Sequence, residues 1–264
     1  MYANVLVELK SKNITGTYTY KIIEPCFVGC RVLVEFGHQK LEGFVLEITN
    51  EASNHKVKDI IKKKFKNVKG NNDKLEIYIK HNYSNEINEK IDTLPFNQSK
   101  LYIGYRLKDL TSHELNHVLR VYNTILVTMN DSILFNVVRE QHSLCYSIGS
   151  YYSKYNPSLT IYAGINKANY EKTVELIKEC VESMKDKKIL ERLFDSAKKT
   201  INTYLNNFYD DLTSQINLYY QREFDTIEDI ETLRENINAV TIDEVIKLNE
   251  KISLSTIYLL KGDN

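Results

Sequence analysis

Residues 132–152 read SILFNVVREQHSLCYSIGSYY and residues 158–165 read SLTIYAGI. The first stretch is helical in character over 132–140 and extended over 143–152, and 158–165 is extended again, so a helix feeds a pair of neighbouring strands. Downstream, Tyr170, Val174, Ile177, Val181 and Met184 fall at spacings of four and three, the apolar stripe of an amphipathic helix. Leu193, Ala197, Ile201, Leu205 and Phe208 repeat the stripe in a second, longer helix. Thr241 with Glu244 forms a capping box that opens a helix through about residue 251, and 255–260 (STIYLL) reads as a closing strand. Upstream, 100–107 (KLYIGYRL) is strand-like and 113–128 helical. The order from residue 100 is β-α-α-β-β-α-α-α-α-α-β. Helices gathered in runs, and not alternating with strands, predict an α+β sandwich with helices packed on an antiparallel or mixed sheet.

The first quarter of the chain has a different period. Apolar residues come in short β-like runs at 5–7, 17–23, 31–36 and 41–48, the last two joined by Gly37-His38-Gln39-Lys40, a plausible hairpin connection. These predict a small β-rich module. Residues 56–69 then hold seven lysines and one aspartate, and Gly70-Asn71-Asn72-Asp73 is a breaker. The division that follows is 1–66 as the β module, 67–98 as a linker with one strand at 74–79 and a polar connector ending near Pro95, and 99–264 as the α+β domain.

At 264 residues, with 42% hydrophobic and 27% charged, the chain has ample material for packed cores. No apolar run approaches the ~18 residues of a membrane helix, and MYANVLVELK lacks the shape of a signal peptide. Cys26, Cys30, Cys145 and Cys180 are too scattered for a disulfide framework and read as reduced thiols of a cytoplasmic protein. The net charge of zero hides an asymmetry. Residues 1–70 carry 12 basic against 7 acidic residues, leaving 23 against 28 in the remainder, and the basic first part favours polyanions.

Three groups of residues suggest chemistry. HELNH, His113 to His117, matches H-E-x-x-H, which on a helix sets two imidazoles on one face with Glu114 placed to activate a zinc-bound water. Against this, Ser112 reads as an N-cap, which puts the motif in a fraying first turn, and Glu140 is the nearest candidate for the third ligand a catalytic zinc requires. Arg139 and Tyr146 lie seven apart, from the end of a helix into the next strand, where a guanidinium fork and a phenol could hold a peptide carbonyl or carboxylate; the alternative is that Arg139 pairs with a nearby carboxylate and Tyr146 packs. The lysines of 56–69 could follow a phosphate backbone or simply be solvated. No P-loop, no G-x-G-x-x-G after a strand, no C-x-x-C and no H-x-x-E-H is present.

Two resemblances follow from blocks of residues. VLVELKSKNITGTYTYKI, VGCRVLVEFGHQKLEGFVLEI and VKDII, in that order over residues 1–62, resemble the N-terminal 3′-end DNA-binding domain of the primosomal replication-restart helicase, primosomal protein N′. That family's pocket for a DNA 3′ terminus falls here on Tyr18, Thr19, Gly37 and Lys58. Where the family has Asp this chain has Thr19, a neutral hydroxyl that accepts a hydrogen bond without charge assistance, while glycine at 37 lets backbone approach a nucleotide closely. QSKLYIGYRL, VLRVYNTIL, SILFNVVREQHSLCYSIGSYY and VTIDEVIKLNEKISLSTIYLLKGD resemble the C-terminal half of the pitrilysin/insulinase peptidase family, nearest to its zinc-less bacterial members. In active members an Arg and a Tyr at the positions of Arg139 and Tyr146 reach toward substrate at a zinc carried by the other half. The family's Gly-Gly is Val127-Thr128 here.

The resemblances imply a non-catalytic peptidase-like protein, without cofactor, that binds peptide or pairs with a zinc-bearing pitrilysin-like subunit as a homo- or heterodimer, fused to a module for DNA 3′ ends. The alternatives are a DNA-end-binding protein of replication restart and an H-E-x-x-H zinc peptidase using His113, His117 and Glu114.

Overall fold

The computed structural model describes residues 1–7, 17–23, 26–50, 58–63, 86–95, 97–222, 225 and 227–262. They fall into two compact units, Met1–Leu75 with Leu205–Glu228, and Glu76–Tyr204 with Asp229–Asn264. The second stretch of the first unit departs from the linear division, which kept everything after residue 99 in one domain. A continuous helical stripe carries no mark of where one compact unit gives way to the other. The expected strand at 74–79 lies outside the described residues.

In the first unit, β1 (Tyr2–Val7), β2 (Thr17–Lys21), β3 (Arg31–Phe36), β4 (Gln39–Thr49) and β5 (Lys58–Lys63) close into a barrel in the order β1-β2-β5-β3-β4. β1 pairs antiparallel with β2 and β4, and β5 runs parallel to β2 and antiparallel to β3, so the described strands leave no open edge. Ala3, Val5, Val7, Tyr20, Val32, Val34 and Val45 fill the interior, five of them β-branched valines suited to a pleated wall. The β3–β4 hairpin turns on two residues, Gly37 and His38, with Gly37 at φ +63°, a backbone region where a Cβ is strained. The turn is two residues shorter than the sequence reading, because Gln39 and Lys40 already pair with Phe36 and Glu35. The fifth strand lies inside the lysine-rich run, near the end of the 1–66 module; the rest of that run is outside the described residues.

The second unit is built on a sheet of order β6-β10-β7-β9-β8, from β6 (Asn88–Leu94), β7 (Ser99–Leu107), β8 (Cys145–Ser153), β9 (Ser158–Ile165) and β10 (Ile252–Gly262). β6 is parallel to β10 and the other pairs are antiparallel, the expected α+β arrangement. Burial alternates along β7: Leu101, Ile103, Tyr105 and Leu107 are buried, Tyr102, Gly104 and Arg106 are not. One face of the sheet is thereby packed beneath helices. β6, NEKIDTL, corrects the reading of 80–95 as a polar connector. It is an edge strand whose residues are almost all exposed, so it lacks the alternation that betrays a half-buried strand.

The helices are α1 (Leu119–Asn123), extended on both sides by π-wound turns Glu114–Val118 and Thr124–Thr128, a further π-wound segment Phe135–Gln141, then α2 (Tyr170–Ser183), α3 (Lys187–Asn207), α4 (Leu212–Arg222), α5 (Ile230–Ala239) and α6 (Ile242–Glu250). Val174, Ile177, Val181 and Met184 of the first predicted stripe and Leu193, Ala197, Ile201 and Leu205 of the second are buried, while Tyr170 and Phe208 at the stripe ends are partly buried. α6 opens on the expected capping box, with both Thr241 and Glu244 hydrogen bonds formed. The helix holding HELNH starts differently from expectation. Its cap is Thr111, not Ser112: the Glu114 amide donates to Thr111 Oγ1 at 3.2 Å and the Thr111 amide to Glu114 Oε2 at 2.7 Å. Threonine followed three residues later by glutamate makes a reciprocal pair that Ser112, followed by Leu115, could not make.

Candidate functional site

The π-wound segment Phe135–Gln141 ends in a tight reversal. The Ser143 amide donates to the Arg139 carbonyl at 3.1 Å, the Leu144 amide to the Val138 carbonyl at 3.0 Å, and Ser143 takes φ +51°. Widened turns of this kind recur at functional sites because they re-aim side chains. Val138 is buried beneath, while the Arg139 guanidinium lies 4.8 Å above the Phe135 ring and its Nε is 3.8 Å from Glu140 Oε1, a long, solvated pairing.

The chain then enters β8 through an irregularity. Cys145 pairs with Ile165 and Ser147 with Gly164, so Tyr146 is the extra residue of a β-bulge. Cys145 points inward, its thiol pushed up by burial and pulled back in part by the Arg139 charge. Tyr146 turns outward and is 68% exposed. Of the alternative reading of this pair, the tyrosine is exposed and not packed, while the arginine does pair with a nearby carboxylate, Glu140.

HELNH is organised as a structural knot. Lys251 Nζ lies 2.7 and 2.8 Å from the two Glu114 oxygens and also donates to the Asp109 carbonyl at 3.3 Å. Burial alone raises the Glu114 carboxyl, but hydrogen bonds from Lys251 and Thr111 outweigh it and hold it below the ordinary value. His113 Nε2 faces Glu244 Oε1 at 3.0 Å, and the Nδ1 atoms of His113 and His117 face each other at 3.1 Å, so one must donate and the other accept. Every oxygen of the would-be catalytic base is engaged. Among the described residues, no three His, Cys, Asp or Glu side chains gather as a metal-binding group, and Glu140 stands beside Arg139.

In the barrel, strand alternation sends Tyr18 and Thr19 to opposite sides of β2. Tyr18 packs against the interior and meets the Phe36 ring edge-on at 4.7 Å, next to the Gly37 turn. The Thr19 hydroxyl donates to Asn4 Oδ1 at 2.8 Å, and the Asn4 amide donates in turn to Glu47 Oε2 at 2.8 Å. With its proton so used, Thr19 offers lone pairs to an incoming donor. The Lys58 backbone pairs with Tyr20 across β2 and β5.

The sequence reading missed a third feature, four tyrosines on the sheet face opposite the helices. Tyr258, Tyr102 and Tyr162 are directly opposed on β10, β7 and β9, with ring centroids 6.3 and 6.4 Å apart, and Tyr151 of β8 continues the row at 6.2 Å from Tyr162. The available signal was tyrosine at the polar phase of each strand, in a chain with 19 Tyr and no Trp.

The family described as Peptidase M16 inactive domain matches over residues 45–201, and that of a 3′DNA-binding domain (3′BD) over residues 4–69. The probable inactive metalloprotease YmfF of Bacillus subtilis (strain 168) is 30% identical over 159 residues, 59% of this chain and 36% of that protein. The uncharacterized zinc protease YmxG of the same organism is 33% identical over 104 residues, 39% of this chain and 25% of its own length. The chain therefore spans about a third or less of the curated relatives it matches. Among solved structures, a conserved protein from Enterococcus faecalis V583 superposes with a TM-score of 0.64 at 26% identity, covering 70% of this chain and 44% of the other. A peptidase M16 inactive domain from Pseudomonas fluorescens superposes at 0.52 and 17% identity, over 67% of this chain and 44% of the other, a likeness of fold alone. No helix among the described residues is long and apolar enough to cross a membrane.

Proposed function

The chain belongs to the Peptidase M16 inactive domain family, and from that premise we propose that it holds a peptide, or the face of a zinc-bearing peptidase subunit, without cutting it. The observation that carries this is Tyr146, turned out by a β-bulge and 68% exposed, close in the chain to the exposed Arg139. A phenol and a guanidinium can donate hydrogen bonds to a peptide carbonyl or carboxylate. The carboxylate that a zinc mechanism would need at HELNH is tied to Lys251 and Thr111. The test uses fluorescein-labelled, unfolded lactalbumin with the full chain and added zinc. The label is bound and stays intact, and Arg139→Ala or Tyr146→Phe weakens binding about fivefold, as loss of a hydrogen bond worth ~1 kcal/mol requires. Cleavage of the label, or binding indifferent to both substitutions, refutes the reading. Pairing is read separately by light scattering, where self-association or a complex with an M16 peptidase subunit is expected.

A second reading concerns the barrel, supported by the match of residues 4–69 to the 3′DNA-binding domain. There Tyr18, Thr19, Gly37 and Lys58 take a DNA 3′ terminus, with Thr19 as hydrogen-bond acceptor for the terminal hydroxyl. A 3′-hydroxyl oligonucleotide then binds more tightly than its 3′-phosphate counterpart, and both weaken as salt rises. Equal, feeble binding to both ends removes this reading.

A further inference from the structure

The row Tyr258–Tyr102–Tyr162–Tyr151 runs across four strands, at right angles to them, on the face the helices leave uncovered. Tyr162 and Tyr151 are 39% and 56% exposed, and Tyr102 and Tyr258 are half-buried. Gly149 stands opposite Tyr162, and a Cβ there would run into the Tyr162 ring, so the glycine lets that ring lie across toward β8. Beside the row is a recess of about 430 Å³ lined in part by Tyr102, Gly104, Arg106, Thr160 and Thr256. Buried apolar side chains do not explain these tyrosines, because the core of the sheet lies on its other face.

The charges on the same face are unequal. By strand register, among the described strand residues, Lys90, Lys100 and Arg106 belong to it, against one carboxylate, Asp92. Asp92 is already occupied: Lys90 Nζ is 2.9 Å from Oδ2, and Tyr258 Oη donates to the same oxygen at 3.1 Å. The ring spacing of 6.2–6.4 Å is close to the ~6.5 Å between alternate residues of an extended chain.

We propose that this tyrosine-paved, basic sheet face takes an extended acidic peptide, which crosses the strands with alternate side chains over successive rings and whose negative charge is favoured by the basic face. The inference rests on the peptide-holding reading above and adds the charge and posture of what is held. Single-stranded nucleic acid would answer the charge and the rings as well; the match between ring spacing and the two-residue repeat of a β-strand favours the peptide.

The test measures anisotropy of two fluorescein-labelled peptides of about twelve residues, one alternating Glu with Phe and one alternating Lys with Phe, and of labelled oligo-dT, each against the full chain. The acidic peptide should bind at least about tenfold tighter than the basic one. Tyr151→Ala and Tyr162→Ala should each weaken it about threefold or more, and Lys100→Glu more strongly at low salt, its difference from the unsubstituted chain shrinking as salt rises. Unchanged thermal melts establish that these exposed substitutions leave the fold intact. Equal binding of the two peptides, still weakened by Arg139→Ala, overturns this inference and leaves the peptide-holding reading standing. No binding of either peptide removes both. Oligo-dT captured through the same tyrosines in preference to the acidic peptide overturns it in favour of nucleic acid.

Discussion

Replacing Glu114 by glutamine separates a structural carboxylate from a catalytic one. In this fold the side chain is 16% exposed, accepts the Thr111 amide, and sits 2.7 and 2.8 Å from Lys251 Nζ. Glutamine preserves the reach back to Thr111, since either residue serves in a capping box, but it removes the charge that Lys251 faces. A charge-assisted hydrogen bond contributes about 1.5–3 kcal/mol when shielded. Lys251 is 35% exposed, so solvent screening lowers the expected loss to about 1–2 kcal/mol. For a chain of this size that is a fall in melting temperature of roughly 2–8 °C. Lys251→Met should cost a similar amount, and the double substitution less than the sum, with a coupling of about 1 kcal/mol in a double-mutant cycle. The assay is urea unfolding and thermal melting, each with and without added zinc. A zinc site built on HELNH behaves in the opposite way. Its glutamate is free to work on water, so Glu114→Gln leaves stability nearly untouched, while zinc at a thousand times its dissociation constant adds about 4 kcal/mol. A wild-type melt raised by zinc together with a silent Glu114→Gln would refute the structural assignment.

Three further outcomes follow from the same geometry. Acid should weaken the second unit: Glu114 and Glu244 are each raised by burial but lowered overall by their hydrogen bonds, so both contribute stability that is present above the ordinary carboxylate value and is lost as pH falls below it toward their depressed values, a loss urea melts should show and Glu114→Gln should reduce. Thr241→Ala removes one half of the α6 capping box and should cost about 1 kcal/mol of that unit's stability in the same melts. Gly43→Ala places a Cβ 2.7 Å from both the Leu6 carbonyl oxygen and Val5 Cγ1; because one of these is backbone, the barrel must shift, and a loss of about 1–3 kcal/mol is expected from chemical denaturation followed by tyrosine fluorescence.

What could be read in the sequence depended on how local each signal was. The stripes of α2 and α3 and the capping box of α6 are statements about spacing within one helix, and they were legible. β6 was not, because Asn88, Glu89 and Lys90 pair along an exposed sheet edge and nothing in their own pattern requires a partner. The cap at Thr111 was missed by one residue, although the Thr-x-x-Glu pair was there to be matched. The engagement of Glu114 was illegible, since it depends on Lys251, 137 residues away. The outward turn of Tyr146 was equally hidden: alternation along β8 fixes which residues face the core only where the pairing is regular, and the bulge interrupts it at that residue. The tyrosine row was half visible, as each ring sits at a polar phase, but its continuity appears only when β10, β7, β9 and β8 are laid side by side.

The same topology explains why the two candidate chemistries ended so differently. HELNH lies on the helix that caps against Thr111 and meets Lys251 at the C-terminal cap of α6, so its carboxylate and imidazoles are drawn into holding the helices together. A group so engaged cannot also move protons for a bound water without giving up the contacts that position it. Arg139 and Tyr146, by contrast, come after a widened turn and at a bulge, two irregularities that remove side chains from the packing of the elements that carry them. The tyrosine row is exposed for a third reason: the buried residues of β7, and those of β9 apart from Gly164, alternate toward the helices, leaving the other face to rings and cations. Side chains available to a ligand are thus found where regular packing is interrupted or has no second layer. By that criterion the chain offers hydrogen-bond donors, aromatic surface and positive charge, the groups on which the proposed holding of a polypeptide draws, while the residues of its H-E-x-x-H sequence are engaged within the fold.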